Sequence, residues 1–571
     1  MQEIFPVNSG NVPPPSQSTN LLSHQLSFNS AFQLNNNNNN NNNLRRNNKI
    51  KNMKPLKLDR ILGLTSTSSN ILDTANDLIA YAAGAVVVLY HQKRNKQIAY
   101  LYPPPTTTIN TTNVNAVTGT INSNPINPVA PPLIVPITSN NEHPLTANTE
   151  EKKGITPASA RAKPISCLAF SPDGNYLAVG EMGHQPRIFI WDVKERTIYR
   201  EFKSHKFGVL SLSFSPNMRY LVSVGFQHDG YLYVWDWKKG VKLAGNKVTS
   251  RVNAISFSRD GSFFVTAGLR HVKFWYLDAR GRIPKKGSTR ETQVLDGRSA
   301  LLGVLRDANF VDVACDQSIT SSGYTYFVTD TGILCTFKEG RVIDKWVNLQ
   351  VKNTFSIAVS STYVICTCSE GIIRLFEPVT LKYMGILPKP HPLGIDISSI
   401  TSPDMVRSTD DTNVYPDAVA IVYDSAAQRV TTVYSDRSLY IWDIHDLQKI
   451  GKYRSFIFHS DCVWGVEPCP NVEKEGSLIP LNSFATFSGD GTIRIWNLDH
   501  PLYPSSSSPL TPPQSSPRNT MSPSSSTMVG SQRRNIYSRE LVKMIYVDND
   551  AAEFAKQAKT FGKKKKKKKK N

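Results

Sequence analysis

The stretch LSFSPNMRYLVSVGFQHDGYLYVWDWKKG, residues 212–240, decides the fold. Its short runs of β-branched and aromatic residues are broken by Pro, Asn, Asp and Gly, the pattern of strands joined by tight turns. It opens around the turn FSPNM and closes on YVWD at 233–236, and both marks recur along the chain. FIWD stands at 189–192, KFWY at 273–276, YIWD at 440–443 and RIWN at 494–497. Weaker copies are LCTF at 334–337 and RLFE at 374–377, and VVLY at 87–90 reads as the first. The turn returns as FSPDG at 170–174 and FSRDG at 257–261. The marker aromatics are therefore Tyr90, Trp191, Trp235, Trp275, Phe337, Phe376, Trp442 and Trp496.

Three intervals between markers are 44, 40 and 39 residues, the length of one WD40 blade. The longer ones hold insertions at 103–158, 278–298, 388–413 and 468–480. The fold expected is all-β: a WD40 β-propeller of seven or eight four-stranded blades, with disordered tails and insertions. Its parts begin with a disordered Asn-rich segment 1–54, a first propeller blade 55–102 and a disordered insertion 103–158. There follow the remaining blades 159–500, a Ser/Pro-rich loop 501–534, a strand of a closing or truncated repeat 535–550, and a Lys-rich tail 551–571. Ring closure calls for strands from both ends, with 61–66 and 541–547 as candidates, because an open edge invites pairing with other chains.

Composition narrows the function classes. The 571 residues carry 66 Lys and Arg against 45 Asp and Glu, a net charge of +21. Eight of that excess lie in the run Lys563 to Lys570 and six in residues 45–60, which leaves +7 for everything else. A fold built throughout to neutralise phosphates is not indicated. No apolar run approaches the ~20 residues of a membrane span, and no secretory signal is evident. Seven cysteines are too few for a disulfide scaffold and fit a reducing, cytoplasmic compartment.

WD40 blades are tied by a hydrogen-bonded chain of His, Ser or Thr, Asp and Trp. One such set is His205, Ser223, Asp229 and Trp235; a second is His459, Thr486, Asp490 and Trp496; a third, Thr432, Asp436 and Trp442, lacks an obvious His. Buried polar atoms are costly unless paired, so a connected set fixes blade geometry. The set repeats in register with the blades and has no oxyanion-hole context, which marks it as structural and not as a catalytic triad. Two blades depart from the pattern. Ahead of Phe376 the polar places hold Cys366 and Glu370, and ahead of Trp275 no turn acid stands, so both should lean on apolar packing. Cys366 and Cys368 share one strand face and read as buried thiols, since no second Cys/His pair sits at ligand spacing. With no phosphate loop, zinc helix or nucleophile elbow, the chain reads as no enzyme, with no catalytic, cofactor-binding or metal residues.

Several strings go beyond the repeat: GHQP at 183–186, SHKFGV at 204–209, FQHDGYLYVWDWKK at 226–239, NKVTSRV at 246–252 and RHVKFW at 270–275. GRSALLG at 297–303, LPKPHPLG at 387–394, VYPDAVAI at 414–421 and FHSDCVWGVE at 458–467 complete them. In order and spacing they resemble the N-terminal propeller of the family of mitogen-activated protein kinase-binding protein 1 and WD repeat-containing protein 62, over 56–102, 162–500 and 535–549. The resemblance implies a non-enzymatic scaffold for c-Jun N-terminal kinase signalling components or, in one branch, action at spindle poles. It also implies a second propeller and a long C-terminal region with kinase-docking segments, which this sequence does not contain. Residues 541–550, LVKMIYVDND, look like the first strand of a ninth repeat, and the homopolymer behind them favours a coding sequence cut short over a short paralogue.

The leading expectation is thus an interaction scaffold whose loops bind protein partners, cytoplasmic, with the cytoskeleton and spindle pole implied by the resemblance. The rival is a nucleic-acid or anionic-surface binder acting through its basic tails. Lys563 to Lys570 would hold phosphate backbones weakly and without sequence preference; a solvated tail or a nuclear-import address is the plainer reading. Two segments point to kinases. Ser508, Thr511, Ser516 and Ser522 each precede proline and suit proline-directed kinases, whereas Ser171 and Ser215 precede proline inside blade turns and should be protected. Arg45, Arg46, Lys49, Lys51 and Lys54 precede Leu56-x-Leu58, the form of a kinase-docking peptide, although the leucines also suit the start of a strand.

Overall fold

The computed structural model describes residues 58–104, 162–277, 294–316, 323–338, 341–407, 413–470, 479–498 and 535–557. The fold is that of the unit Arg60–Asn571. The segments 1–54 and 501–534, and nearly all of 103–158, lie outside the described residues. Of the expected Lys-rich tail, the part up to Gln557 is described, and it completes a helix, Asn549–Gln557.

The described strands form eight four-stranded antiparallel sheets, each built from four consecutive strands. From first to seventh blade the innermost strands are Leu72–Ala75, Ile165–Phe170, Val209–Phe214, Val252–Phe257, Phe310–Cys315, Thr354–Val359 and Ala418–Asp424; the eighth sheet begins with Val463–Pro468. Every marker aromatic stands in a third strand, and all eight are buried. The Ser-Pro turns join first to second strands. Ser215 Oγ accepts from Tyr220 N and donates to Asn217 Oδ1, both at 2.8 Å, so one hydroxyl closes the turn beside the backbone bond from Ser215 N to Tyr220 O at 2.9 Å.

Seven blades make the ring. The innermost strand of the seventh, Ala418–Asp424, packs directly beside that of the first, Leu72–Ala75. Ile79, Val88 and Leu89 of the first blade share one core with Ala420, Val433 and Ile441 of the seventh. Burial of each Val, Leu or Ile side chain is worth about 1.5–3 kcal/mol, so the ring closes by packing and needs no sheet shared between chain ends. That corrects the expected closure. Residues 61–66 form no strand: Ile61 N donates to Gln97 Oε1 at 2.8 Å and Thr65 N to Ala82 O at 2.8 Å as the segment passes over the first blade. Leu541–Tyr546 is the fourth strand of the eighth sheet, paired along Thr492–Trp496, and not the first strand of a ninth repeat.

The eighth sheet is left outside the ring. One of its faces, with Trp496, Leu541 and Met544, packs on Ile457 of the seventh blade and on Ile397, Ile400 and Val406 of the connector that the sequence marked as an insertion. Its innermost strand stays largely exposed, Trp464 at 65%. Residues 66–71 cross the ring axis. Asn70 Nδ2 donates to Leu210 O at 3.1 Å and Asn253 O at 3.3 Å, and Ser66 Oγ donates to Ser435 O at 3.2 Å, so side chains of one short segment reach the third, fourth and seventh blades.

Candidate functional site

The polar sets were the sites most open to a chemical reading. In the third blade, His205 Nε2 lies 2.9 Å from Ser223 Oγ, and Trp235 Nε1 donates to that oxygen at 2.9 Å. His205 Nδ1 contacts Asp229 Oδ2, and Lys206 N donates to Asp229 Oδ1 at 2.7 Å. Read in one direction, Trp235 donates to Ser223, Ser223 to His205 and His205 to Asp229, so every member is satisfied. Gly225 makes room for it: a Cβ there would stand 2.0 Å from Asp229 Oδ2. In the eighth sheet, His459 stands 2.9 Å from Asp490 and 2.7 Å from Thr486 Oγ1, which accepts from Trp496 Nε1 at 2.8 Å. Burial works against the Asp490 carboxylate, but the bond from His459 and the charge of Arg494 outweigh it and hold its pKa below the usual range.

Two sets differ from the reading of the sequence. Near Trp442, a His is present: His391, from the connector, places Nε2 3.0 Å from Asp436 Oδ2 and Nδ1 2.9 Å from the Tyr440 hydroxyl. Thr432 Oγ1, by contrast, is buried with no hydrogen-bond partner, and Trp442 does not donate to it. Near Trp275, where greater reliance on apolar packing is expected, His271 Nε2 lies 2.8 Å from Thr266 Oγ1 and Trp275 Nε1 donates to the same oxygen at 3.0 Å. Burial lowers the His271 pKa to about 4. Glu370 pairs with Lys352 at the surface, 2.8 Å, and stands apart from Cys366. The second blade puts Val179 at the hydroxyl position, leaves Trp191 Nε1 unpaired, and carries instead a buried ion pair, Arg187 to Glu181 at 2.6 Å.

None of these groups is placed for covalent chemistry. Ser223 and Thr432 are wholly buried, and Ser223 Oγ is already engaged by two partners, so no substrate carbonyl can reach it. Among the described residues no group of three or more His, Cys, Asp or Glu is arranged to hold a metal ion. Cys366 and Cys368 are buried, and burial pushes their thiols up, to about 12 for Cys368.

What the ring offers outward is different. Met182, Phe207 and Leu269 stand exposed on loops of the second to fourth blades, Phe207 at 48%, on the loop end where Asn70 crosses the axis. Phe207 packs against the His184 ring at 6.4 Å, and Lys163 Nζ donates to His184 O at 2.8 Å, so the loops of the second and third blades are tied to one another. Leu58 is exposed and outside any strand; Arg45, Arg46, Lys54 and Leu56 lie outside the described residues, as do Ser508, Thr511, Ser516, Ser522 and Lys563 to Lys570. Ser171 and Ser215 are buried. No described helix is long and apolar enough to cross a membrane.

Comparison with known proteins agrees with this architecture. The profile of the WD domain, G-beta repeat, matches residues 156–192, 196–236 and 237–276. The chain is 40% identical to mouse mitogen-activated protein kinase-binding protein 1 over 496 residues, 86% of this chain and 27% of that protein. It is 39% identical to pig WD repeat-containing protein 62 over 497 residues, 87% of this chain and 26% of that protein. Human mitogen-activated protein kinase-binding protein 1 is 39% identical over 502 residues, 28% of its length. The chain thus spans about a quarter of the length of these relatives.

Proposed function

We propose that this WD40 β-propeller is a non-catalytic scaffold that gathers protein partners on the loop end of its ring. The observation that carries the reading is a contrast in burial. The His, Ser, Asp and Trp sets are spent on blade geometry, while Met182, Phe207 and Leu269 stand in solvent on loops of adjacent blades. Exposed apolar groups held on a rigid frame are the usual anchors of a protein interface.

The name of one relative, mitogen-activated protein kinase-binding protein 1, suggests kinases of that group as partners. The sequence resemblance narrows the reading to the c-Jun N-terminal type or components that travel with it, in the cytoplasm or at the spindle pole. Phosphorylation at Ser508, Thr511, Ser516 and Ser522 and docking through Leu56 and Leu58 belong to the same reading. Purified kinase and the full chain should associate in solution, and Met182→Ser, Phe207→Ser and Leu269→Ser together should weaken that association about tenfold or more. Binding that survives this triple variant but is lost with Leu56→Ala and Leu58→Ala would move the contact to the docking segment. No association with any mitogen-activated kinase would remove the pathway reading.

A further inference from the structure

The net positive charge of the folded part is not spread over the ring. Residues 194–251 hold eleven Lys and Arg against four Asp and Glu; the other described residues hold twenty-eight against twenty-nine. All eleven basic side chains of this span are exposed. Three of the four acids are engaged locally: Asp229 with His205, Asp236 with Lys239 at 3.5 Å and Glu201 with Lys203 at 2.9 Å. The whole excess therefore belongs to the second and third blades. It runs over their outermost strands, Thr197–Lys203 and Val241–Lys247, and the turns that precede them.

The two blades meet so as to make one surface. Arg200 reaches across from the second blade to Lys238 O of the third, with Nη2 at 3.3 Å and Nε at 3.4 Å. Its guanidinium lies 5.0 Å from the Tyr199 ring, Lys238 lies 5.3 Å from Trp237, and Lys242 lies 4.9 Å from Tyr233. Rings beneath the cations hold them apart on the surface and favour their positions over free rotation.

We propose that this face of the second and third blades docks an extended acidic polypeptide segment, Asp/Glu-rich, of a protein partner. This rests on the reading of the chain as a scaffold and adds a second contact, on the side of the ring. Charge complementarity selects an anionic occupant, and the rings select among anions. A single-stranded nucleic acid needs open aromatic faces on which bases stack. Here Trp237 is fully buried, Arg200 and Lys242 lie over Tyr199 and Tyr233, and Tyr231 stacks on Tyr233 at 5.7 Å. Those faces are taken, whereas carboxylates need only the cations. The outermost strands also end their sheets, so their free edges can pair with an extended backbone.

The test uses the full chain with Lys563 to Lys570 replaced by Gln throughout, so that the tail contributes nothing. The probe is a fluorescent twelve-residue polyglutamate, read by anisotropy at about 50 and 200 mM salt. Arg200→Glu, Lys238→Glu and Lys242→Glu together should weaken binding about tenfold or more, and salt should matter less in that variant. The control triple, Lys345→Glu, Lys382→Glu and Lys389→Glu, in the fifth and sixth blades and the connector behind them, should change it less than about twofold. Carbodiimide cross-linking of the unaltered face should join the peptide to Lys238, Lys239 or Lys242. Equal losses in both triples, or cross-links elsewhere, overturn the proposal. So does tighter binding of oligouridylate of equal charge or of phosphatidylserine vesicles, which would make the face a nucleic-acid or membrane contact. Kinase association lost with the loop-end variant alone would leave the scaffold reading standing whatever this face does.

Discussion

Ser356 Oγ donates to Asp312 Oδ2 at 2.7 Å across the seam between the fifth and sixth blades, with both side chains buried. Ile357 N donates to the same oxygen at 3.0 Å, and on the far side of the ring Asp73 Oδ2 accepts from Phe170 N of the next blade at 2.7 Å. Carboxylates on innermost strands thus staple blades that no sheet connects. Burial pushes the Asp312 and Asp73 carboxyls up to about 6.

A carboxyl raised in the folded state binds its proton more tightly there than in the unfolded chain, so its contribution is greatest below pH 4 and is lost as pH rises through 6. Asp312→Asn removes that dependence. Relative to the natural chain, the variant should gain on the order of 2 kcal/mol between pH 4 and pH 7, measured by urea unfolding at the two values. A stability difference constant with pH would show that the carboxylate is not desolvated in the seam.

Equivalent hydroxyls should have unequal worth. Thr486 Oγ1 joins His459 and Trp496, so Thr486→Val should cost on the order of 1–3 kcal/mol by stranding both. Thr432 Oγ1 is buried and unpaired, so Thr432→Val should be neutral within about 0.5 kcal/mol or stabilising. Asp229→Ala should resemble the first case. Differential scanning calorimetry of the three variants decides, and equal shifts for the two threonines would refute the assigned bonds.

Much of this was legible in the sequence, and the misses have physical causes. The eight marker aromatics and the His205 set follow from a local period, since their members lie within one repeat. His391 was missed because it stands on the connector 27 residues ahead of the strand Ala418–Asp424 that it serves. His271 was missed because its ring comes from the third strand itself, five residues after Thr266, and no turn acid marks it. Ring closure was misjudged for a third reason. A period counts sheets, and only the packing of Ala420 and Ile441 against the first blade shows which two of them meet.

His271 should confer an acid sensitivity of opposite sign to that of Asp312. Burial lowers its pKa to about 4, so the unfolded chain takes up the proton first. Its contribution is present above about pH 6.5 and is lost as pH falls toward 4. His271→Gln should therefore lose less stability than the natural chain on going from pH 7 to pH 5, by on the order of 2 kcal/mol. Parallel losses in the two proteins would place the imidazole in solvent.

Phosphorylation should follow accessibility and not the dipeptide alone. Ser171 and Ser215 precede proline but are buried, with their hydroxyls closing blade turns. Mass spectrometry of the protein after treatment with a proline-directed kinase should find phosphate on Ser508, Thr511, Ser516 or Ser522 and none on the two turn serines. Modification at Ser215 without unfolding would contradict the turn geometry.

Seven blades form a ring closed between the first and the seventh, with the eighth sheet outside. Native-state hydrogen exchange with peptide-level readout tests it most directly, because amides inside a closed ring open only with the ring. Exchange should be slow for Leu72–Ala75 and Ala418–Asp424 alike, and fast for Val463–Pro468. Protection of Val463–Pro468 together with rapid exchange of Leu72–Ala75 would contradict it, because the eighth sheet would then stand inside the ring and the first blade at an open edge.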